Sequence, residues 1–491
     1  MTLTHILVFT AFALLTGWLV PRPRRGWALL VGSLAGVYWL QSSTPVRNLD
    51  FWFPTASIAL AVFVWAVVSS RTESGQPVAR ANLLGALVIL GVILSIGLTR
   101  YLGPLCCLTP SRPPDILRVF LFLGVAGAVV AVPARLVTAP RYLPGAAILL
   151  IVSLFVILKS DPLAQAASAG LRSLNGQPAG LASHLDLRWL GFSYLAFRLL
   201  HTLRDHQAGK LPAYTLGEFV TYAIFFPTYT AGPIDRSQRF VNDLHKTQAV
   251  VTSGQELRGD KEQIDFGYLV AGGQRILTGV FKKFVLADSL ALIALNDQSA
   301  TQAVSTPWIW VLLYAYTLRI YFDFSGYTDI ALGLGRLLGF QLPENFDRPY
   351  LRQNLTAFWN SWHITLAQWF RAYFFNPLTR ALRGRPKKLP VWAVILTGQL
   401  STMLLIGLWH GFSWNFAAWG AWHGLGLFLH NRWSDWIRPH LANLGERPRL
   451  RLILQTGGWF LTFHYVTLGW VWFALPTPAL ALNVFQKLFA G

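Results

Sequence analysis

The chain has 491 residues, 54% of them hydrophobic and only 13% charged, about half the charged share of a soluble domain. That deficit excludes a string of soluble domains and means that most side chains face lipid or other protein. The net charge of +20 sits in short loops between apolar runs, so its partner is the anionic cytoplasmic leaflet and not nucleic acid.

A membrane span needs about 20 mainly apolar residues. In chain order the sequence predicts segments at 3–20, 27–40, 51–70, 82–98, 116–134, 142–159, 186–203, 216–231, 266–295, 306–338, 390–409, 412–430 and 452–475. Some of the long ones are expected to be broken and some short ones re-entrant. The expected fold is therefore an all-α, multi-pass protein of the plasma membrane with 11–13 membrane segments. Arg22, Arg24 and Arg25 follow the first apolar run. A cleaved signal peptide carries its charges before that run, so the reading is an uncleaved helix with its arginines inside the cell. Cys106 and Cys107 are adjacent and are expected to be small buried residues, since disulfide geometry disfavours neighbours. They supply no disulfide framework and no zinc pattern.

The chain divides near residue 180. Residues 1–180 are plain apolar helices ending in a polar connection, 181–475 hold polar groups inside apolar segments, and 476–491 form a tail. Intramembrane polar groups are costly and usually line a bundle interior, so chemistry is sought in 181–475. Two loops stand out there. Residues 232–265 read as a cytoplasmic excursion, and RALRGRPKK at 380–388 as a topology anchor or a dock for an acidic donor. The glycines of LGLGRLLGF (332–340) follow no strand, so they indicate close helix packing and not a nucleotide loop.

Three stretches can carry chemistry. In FWNSWHITLAQWFR, Thr356, Asn360, His363 and Arg371 fall on one face of a helix, bordered by Trp359 and Phe370. In GLWHGFSWNFAAWGAWHG, His410 lies between Gly407 and Gly411, with Ser413 and Asn415 nearby. His423 repeats the Trp-His-Gly pattern, and spacing alone does not rank it below His410. In YFDFSGYTDIALGLGR, Asp323 is four residues from Arg319, and Asp329 seven from Arg336, so each can pair on its helix face. Imidazole suits transfer to an alcohol because it can take the hydroxyl proton near neutral pH and later return it. No acidic or cysteine ligands accompany the histidines at metal-site spacing, so no metal is assigned.

These motifs, in register, resemble the membrane-bound O-acyltransferase family over about residues 185–475. LGFSYLAFRLLHTLRD (190–205) is similar to its early core helix, and FPTYTAGPIDRSQRF (226–240) to a loop of the teichoic acid D-alanyl transfer proteins. Residues 321–351 resemble the alginate O-acetyltransferase branch. The resemblance implies a ring of tilted helices around a tunnel, with His410 as general base and His363 as a positioning group. Trp359, Asn360, Arg371, Ser413, Asn415 and Asp323 would line the tunnel. It implies no bound cofactor. An acyl thioester, carried by coenzyme A or an acidic carrier protein, would enter from the cytoplasm, and the hydroxyl acceptor would come from the other side. An acetyl group and an envelope or exported polysaccharide are expected, with an extracytoplasmic acyltransferase as partner. The alternatives are D-alanyl transfer to teichoic acid and, in another class, a proton-coupled transporter. Two departures lie at the expected cytoplasmic entrance: Ala372 stands where that branch has an acidic residue, and NPLTRALRGR (376–385) replaces its glycine-rich stretch.

Overall fold

The computed structural model describes residues 1–69, 76–103, 106–135, 142–248, 266–441 and 448–489. Among these the chain is helical, with one isolated antiparallel bridge, Phe346 to Trp362. It forms two compact units, Met1–Leu277 with Ile330–Pro343, and Thr278–Asp329 with Glu344–Gly491.

The first unit opens with α1 (Leu3–Leu19), α2 (Arg25–Leu40), α3 (Leu49–Ser69), α4 (Gln76–Leu98), α5 (Ile116–Arg135) and α6 (Leu143–Lys159). Each matches a predicted segment. Asp50 in the first turn of α3 accepts from the backbone and hydroxyl of Ser111 at 2.6 and 2.7 Å, which ties the α4–α5 connection to α3. That connection also holds Cys106 and Cys107. Both are half-buried, not fully buried as expected, and as neighbours they close no loop between elements. After α6 the chain bends by 96° into α7 (Asp161–Leu174). Arg172 of α7 pairs with Asp186 at 2.8 Å, both side chains buried, fixing the polar connection that leads into α8 (Phe192–Gln207).

The predicted segment 216–231 is not one helix. It comprises α9 (Leu216–Ala223), whose N-terminus is capped by Thr215, and a 3₁₀ turn at Phe226–Thr228. Pro227 explains the break, since proline offers no N–H and disfavours helix in the residue before it. The carbonyls freed there are taken by buried Arg198 of α8, which donates to Tyr222 O, Ala223 O and Thr228 O at 3.2, 2.9 and 2.9 Å. α10 (Ser237–Gln248) begins the predicted 232–265 excursion; residues 249–265 lie outside the described residues. The glycine-rich end of the 306–338 segment packs as expected. A Cβ on Gly333 would sit 2.6 Å from Ile276 and 2.7 Å from the Gly272 carbonyl, so backbone meets backbone here.

α11 (Phe266–Val280) runs through a π-helical stretch, Phe281–Ala287, into α12 (Asp288–Ala291). The second unit continues with α13 (Asp297–Gln302), α14 (Thr306–Leu337, whose last turns belong to the first unit), α15 (Leu355–Trp359), α16 (Ile364–Phe370) and α17 (Asn376–Arg383). It ends with α18 (Val391–His410), α19 (Trp414–Ile437), α20 (Pro448–Ala474) and α21 (Pro478–Phe489). The expected tail thus contains a helix, and Lys487 secures it by donating to Ala300 O and Ala303 O at 3.1 and 2.8 Å.

The ion pairs expected along α14 are replaced. Asp329 pairs with Lys282 at 2.7 Å and not with Arg336, and Asp323 pairs with Lys283 and not with Arg319. The π-helical stretch sets consecutive lysines against α14, and two short carboxylates meet them across the helix pair. Among the described residues, α3, residues Ala79–Tyr101 and α18 are long and apolar enough to cross a membrane by length and composition, and the bent α6–α7 pair passes as one span. α14 and α20 are longer, with 32 and 27 residues, but carry the charged and polar residues that the sequence placed in a bundle interior. Exposed apolar residues cover helices of both units, Leu117 and Leu121 of α5 and Leu461 of α20 among them at 73%, 69% and 70% exposure, as a lipid-facing surface requires.

Candidate active site

The site lies in the second unit, and its floor is not the single helix expected. α15 stops at Trp359, with Asn360 as its C-cap. Ser361 Oγ turns back to Ala357 O at 2.8 Å and consumes one of the orphan carbonyls. His363 then adopts φ +44° and ψ +54° and starts α16. Left-handed backbone is uncommon for a residue with a Cβ and persists only where its surroundings enforce it. The enforcement is a short strap, residues 345–347, that pairs with the turn. Asp347 N donates to Ser361 O and Ile364 N to Asn345 O, both at 3.0 Å. Asn345 is fully buried, and its Oδ1 accepts from Thr365 Oγ1 at 2.6 Å.

The polar stripe therefore divides. Thr356 meets His430 at 3.2 Å. Asn360 accepts from Arg371 at 2.7 Å, both residues exposed, so Arg371 has an amide partner although Ala372 follows it. Arg371 opens a second π-helical stretch, Arg371–Phe375. His363 is buried, its ring edge-on to Phe324 at 4.6 Å and within 6.1 Å of Trp409. Trp359, expected beside His363, stacks its ring edge against His423 at 5.1 Å and Trp419 at 5.7 Å.

His410 is the last residue of α18, half-buried, where the chain turns through Gly411 into α19. Ser413 caps α19 by accepting from Phe416 N at 3.3 Å, and Asn415 donates to Leu475 O at 2.6 Å. These two residues shape the hairpin that presents His410. The helices of that hairpin touch backbone to backbone. A Cβ on Gly407 would lie 2.2 Å from Phe416 O, and one on Gly420 would lie 2.5 Å from Met403 O. The His410 ring is boxed by Trp409, Phe416, Trp419 and Phe473, with ring centres at 4.6, 5.8, 5.7 and 4.7 Å. His423 differs. It is fully buried, and neither ring nitrogen has a hydrogen-bond partner among the described residues.

The structure thus brings His363 and His410 to one aromatic patch, with the Trp409 indole contacting both rings. Asp323 is exposed and held by Lys283, and its contacts do not join it to the histidines. Sequence reasoning passed over Trp409, Phe324, Phe473 and Asn345. Trp409 was visible in GLWHG, but which way an indole points is settled only by packing. Asn345 gave no signal, because its value lies in meeting Thr365 across the strap. No group of three or more metal-ligating side chains occurs among the described residues.

Residues 146–468 match the family model described as the membrane-bound O-acyltransferase family, a match that begins ahead of the resembling stretch read from the motifs. The chain is 32% identical over 332 residues to the "Probable alginate O-acetylase" of Pseudomonas aeruginosa, covering 66% of this chain and 57% of that protein. It is 32% identical over 301 residues to the teichoic acid D-alanyltransferase of Streptococcus thermophilus, 59% of this chain and 68% of that one. A peptidoglycan O-acetyltransferase of Helicobacter pylori is 31% identical over 280 residues, 56% and 47% of the two chains. The match to the alginate protein spans less than two thirds of that relative's own length. With a family match from residue 146 to residue 468, about two thirds of its length, and with the motif histidines on one aromatic patch, the chain belongs to the membrane-bound O-acyltransferase family.

Proposed function

We propose that this protein transfers an acyl group, acetyl foremost, from a cytoplasmic thioester to a hydroxyl of a cell-envelope or exported polysaccharide. The observation that carries the reading is the placement of His363 and His410 around Trp409. His410 takes the proton of the acceptor hydroxyl as its oxygen attacks the thioester carbonyl. The carbon–sulfur bond then breaks, and the imidazolium returns its proton to the leaving thiolate. His363, clamped by the strap, orients the acceptor or the thioester carbonyl. The donor is a thioester of coenzyme A or of an acidic carrier protein, and the exposed run at 380–388 suits such an anion. An extracytoplasmic acyltransferase receives or completes the transfer. The catalytic core is assigned to residues 181–475.

D-alanyl transfer is the second reading, supported by the 226–240 loop and by the Streptococcus relative. Purified protein in detergent, given radiolabelled acetyl or D-alanyl thioester and a polysaccharide acceptor, tests both. His410→Ala should lower transfer by about 10²–10⁴-fold, the range for loss of a general base. Full transfer by His410→Ala refutes the assignment, and exclusive use of the D-alanyl donor selects the second reading. Proton-coupled flux in proteoliposomes without any acyl transfer would replace both with the transporter reading.

A further inference from the structure

A basic cavity in the first unit lies among residues to which the proposed reaction gives no role. It has a volume of about 390 Å³, and four cationic side chains line it: Arg22, Arg25, Lys246 and Arg336. Asp243 is the one acidic residue among its lining. That carboxylate is already engaged by Lys246 at 3.1 Å and by the Gln341 N–H at 3.1 Å. Arg25 is oriented by donating to Gly17 O and Val20 O at 2.8 and 3.2 Å, at the carbonyl end of α1. The guanidiniums of Arg22 and Arg336 have no ion-pair partner among the described residues. A second cavity, of about 680 Å³, shares Tyr268, Arg336 and Gln341 with the first and adds Arg239. The site thus has a surplus of positive charge and planar forks of the kind that grip phosphate oxygens.

The surroundings say what carries the phosphate. α1 ends at the mouth of the cavity, and next to lining residues Thr16 and Gly17 its surface is apolar and bare. Leu15, Trp18 and Leu19 are 51%, 65% and 72% exposed. A soluble anion has no use for that surface, but acyl chains do, and tryptophan favours the depth at which headgroups lie. The arginines after α1 and the stretch containing Lys246 were both read from sequence as cytoplasmic, and the fold gathers them around one cavity. Basic pockets among membrane helices on that side bind anionic headgroups.

We infer that this cavity holds the phosphate of an anionic phospholipid, with the acyl chains lying along α1. The test is a binding titration of the full-length protein in neutral detergent, read by native mass spectrometry and by thermal shift. The probes are phosphatidylglycerol, phosphatidylcholine and inorganic phosphate. Phosphatidylglycerol should bind saturably and in preference to phosphatidylcholine. Loss of each arginine should weaken it about fivefold, the equivalent of about 1 kcal/mol per basic residue, so the double variant Arg22→Gln with Arg336→Gln should lose about 25-fold. The control is Arg383→Gln with Arg385→Gln, which removes equal charge from the exposed 380–388 run and should change affinity less than twofold. Equal weakening in both double variants means diffuse attraction to a basic protein and overturns the inference. So does equal binding of phosphatidylcholine, or inorganic phosphate displacing the lipid at comparable concentration, which marks a free-anion site. Should the double variant fail to fold, Arg336→Gln alone must show the fivefold loss. Neither Arg22 nor Arg336 belongs to the proposed catalytic or donor-binding machinery, and the control in the 380–388 run is read by lipid affinity alone, so this result and the acyl-transfer result fail independently.

Discussion

Gly407→Ala should damage acyl transfer far more than its single methyl group suggests. The added Cβ would stand 2.2 Å from Phe416 O and 3.1 Å from Phe416 C, both backbone atoms of α19. No flexible side chain can swing away, so α18 and α19 must part by about 1 Å in a packed interior. Overpacking of this kind costs about 1–3 kcal/mol. Gly407 lies one helical turn before His410, so the displacement reaches the proposed base directly. A misplacement of about 1 Å at a reacting group can cost about 10²-fold in rate. The measurement is transfer from a labelled thioester by the purified variant, together with its thermal unfolding. Gly91→Ala in α4 is the matched control, because nothing lies within 4 Å of its new methyl group. It should be neutral or stabilise by up to about 1 kcal/mol through helix propensity. Wild-type rate and unfolding temperature for Gly407→Ala would refute the reasoning, since the helices would then not be in backbone contact.

Three other outcomes are expected. His423→Leu should keep the fold and most of the transfer rate, because the buried imidazole makes no hydrogen bond among the described residues; a loss as deep as that of His410→Ala would show that the wrong histidine was chosen. Asn345→Ala should destabilise the protein by about 2 kcal/mol, the worth of two buried hydrogen bonds to Thr365, and should lower transfer by freeing the His363 turn; an unchanged rate would detach the strap from function. Burial works to raise the Asp186 carboxyl, but hydrogen bonds from Arg172, Ser168 and the Ser183 N–H, with the arginine charge, hold it below the ordinary carboxylate value. A depressed folded value means the pair stabilises the protein above an unfolded pKa of about 3.9 and is lost as pH falls through the lower folded value. Thermal unfolding followed from pH 7 to pH 3 should therefore fall more steeply for the wild type than for Arg172→Met. That variant should already be weaker at pH 7, by about 3 kcal/mol for a broken buried pair; parallel curves would sink the idea.

The helices were largely legible because lipid imposes a simple rule: apolar runs of sufficient length become helices. α1, α3, α6, α18 and α20 lie within a few residues of the predicted segments. Breaks were harder. The segment 216–231 hid Pro227 behind favourable hydropathy, and the stop at Asn360 depends on a strap 15 residues upstream that no periodicity reveals. Ion pairs were misassigned for a related reason. Spacing along α14 offered partners for Asp323 and Asp329 on the same helix, whereas Lys282 and Lys283 reach them from the π-helical stretch after α11. At the site, residue types pointed to imidazole chemistry and the resemblance singled out His410. The structure adds a physical contrast between the half-buried His410 at a helix end and the sealed His423. Trp409 as the ring common to both motif histidines could not be read from the chain, because it depends on two helices and a turn meeting in space.

The division of the chain into two units has a consequence for synthesis. The first unit is not finished when residue 277 leaves the ribosome, because it needs Ile330–Pro343, the last turns of α14 and the connection that follows. Between them the chain makes Thr278–Asp329, which belongs to the other unit. During insertion the early helices must therefore wait in the bilayer with part of their packing surface uncovered, until some fifty residues of the partner unit have been threaded. A truncation at residue 277 should leave that surface open permanently, so neither half is expected to be obtainable as a clean fragment.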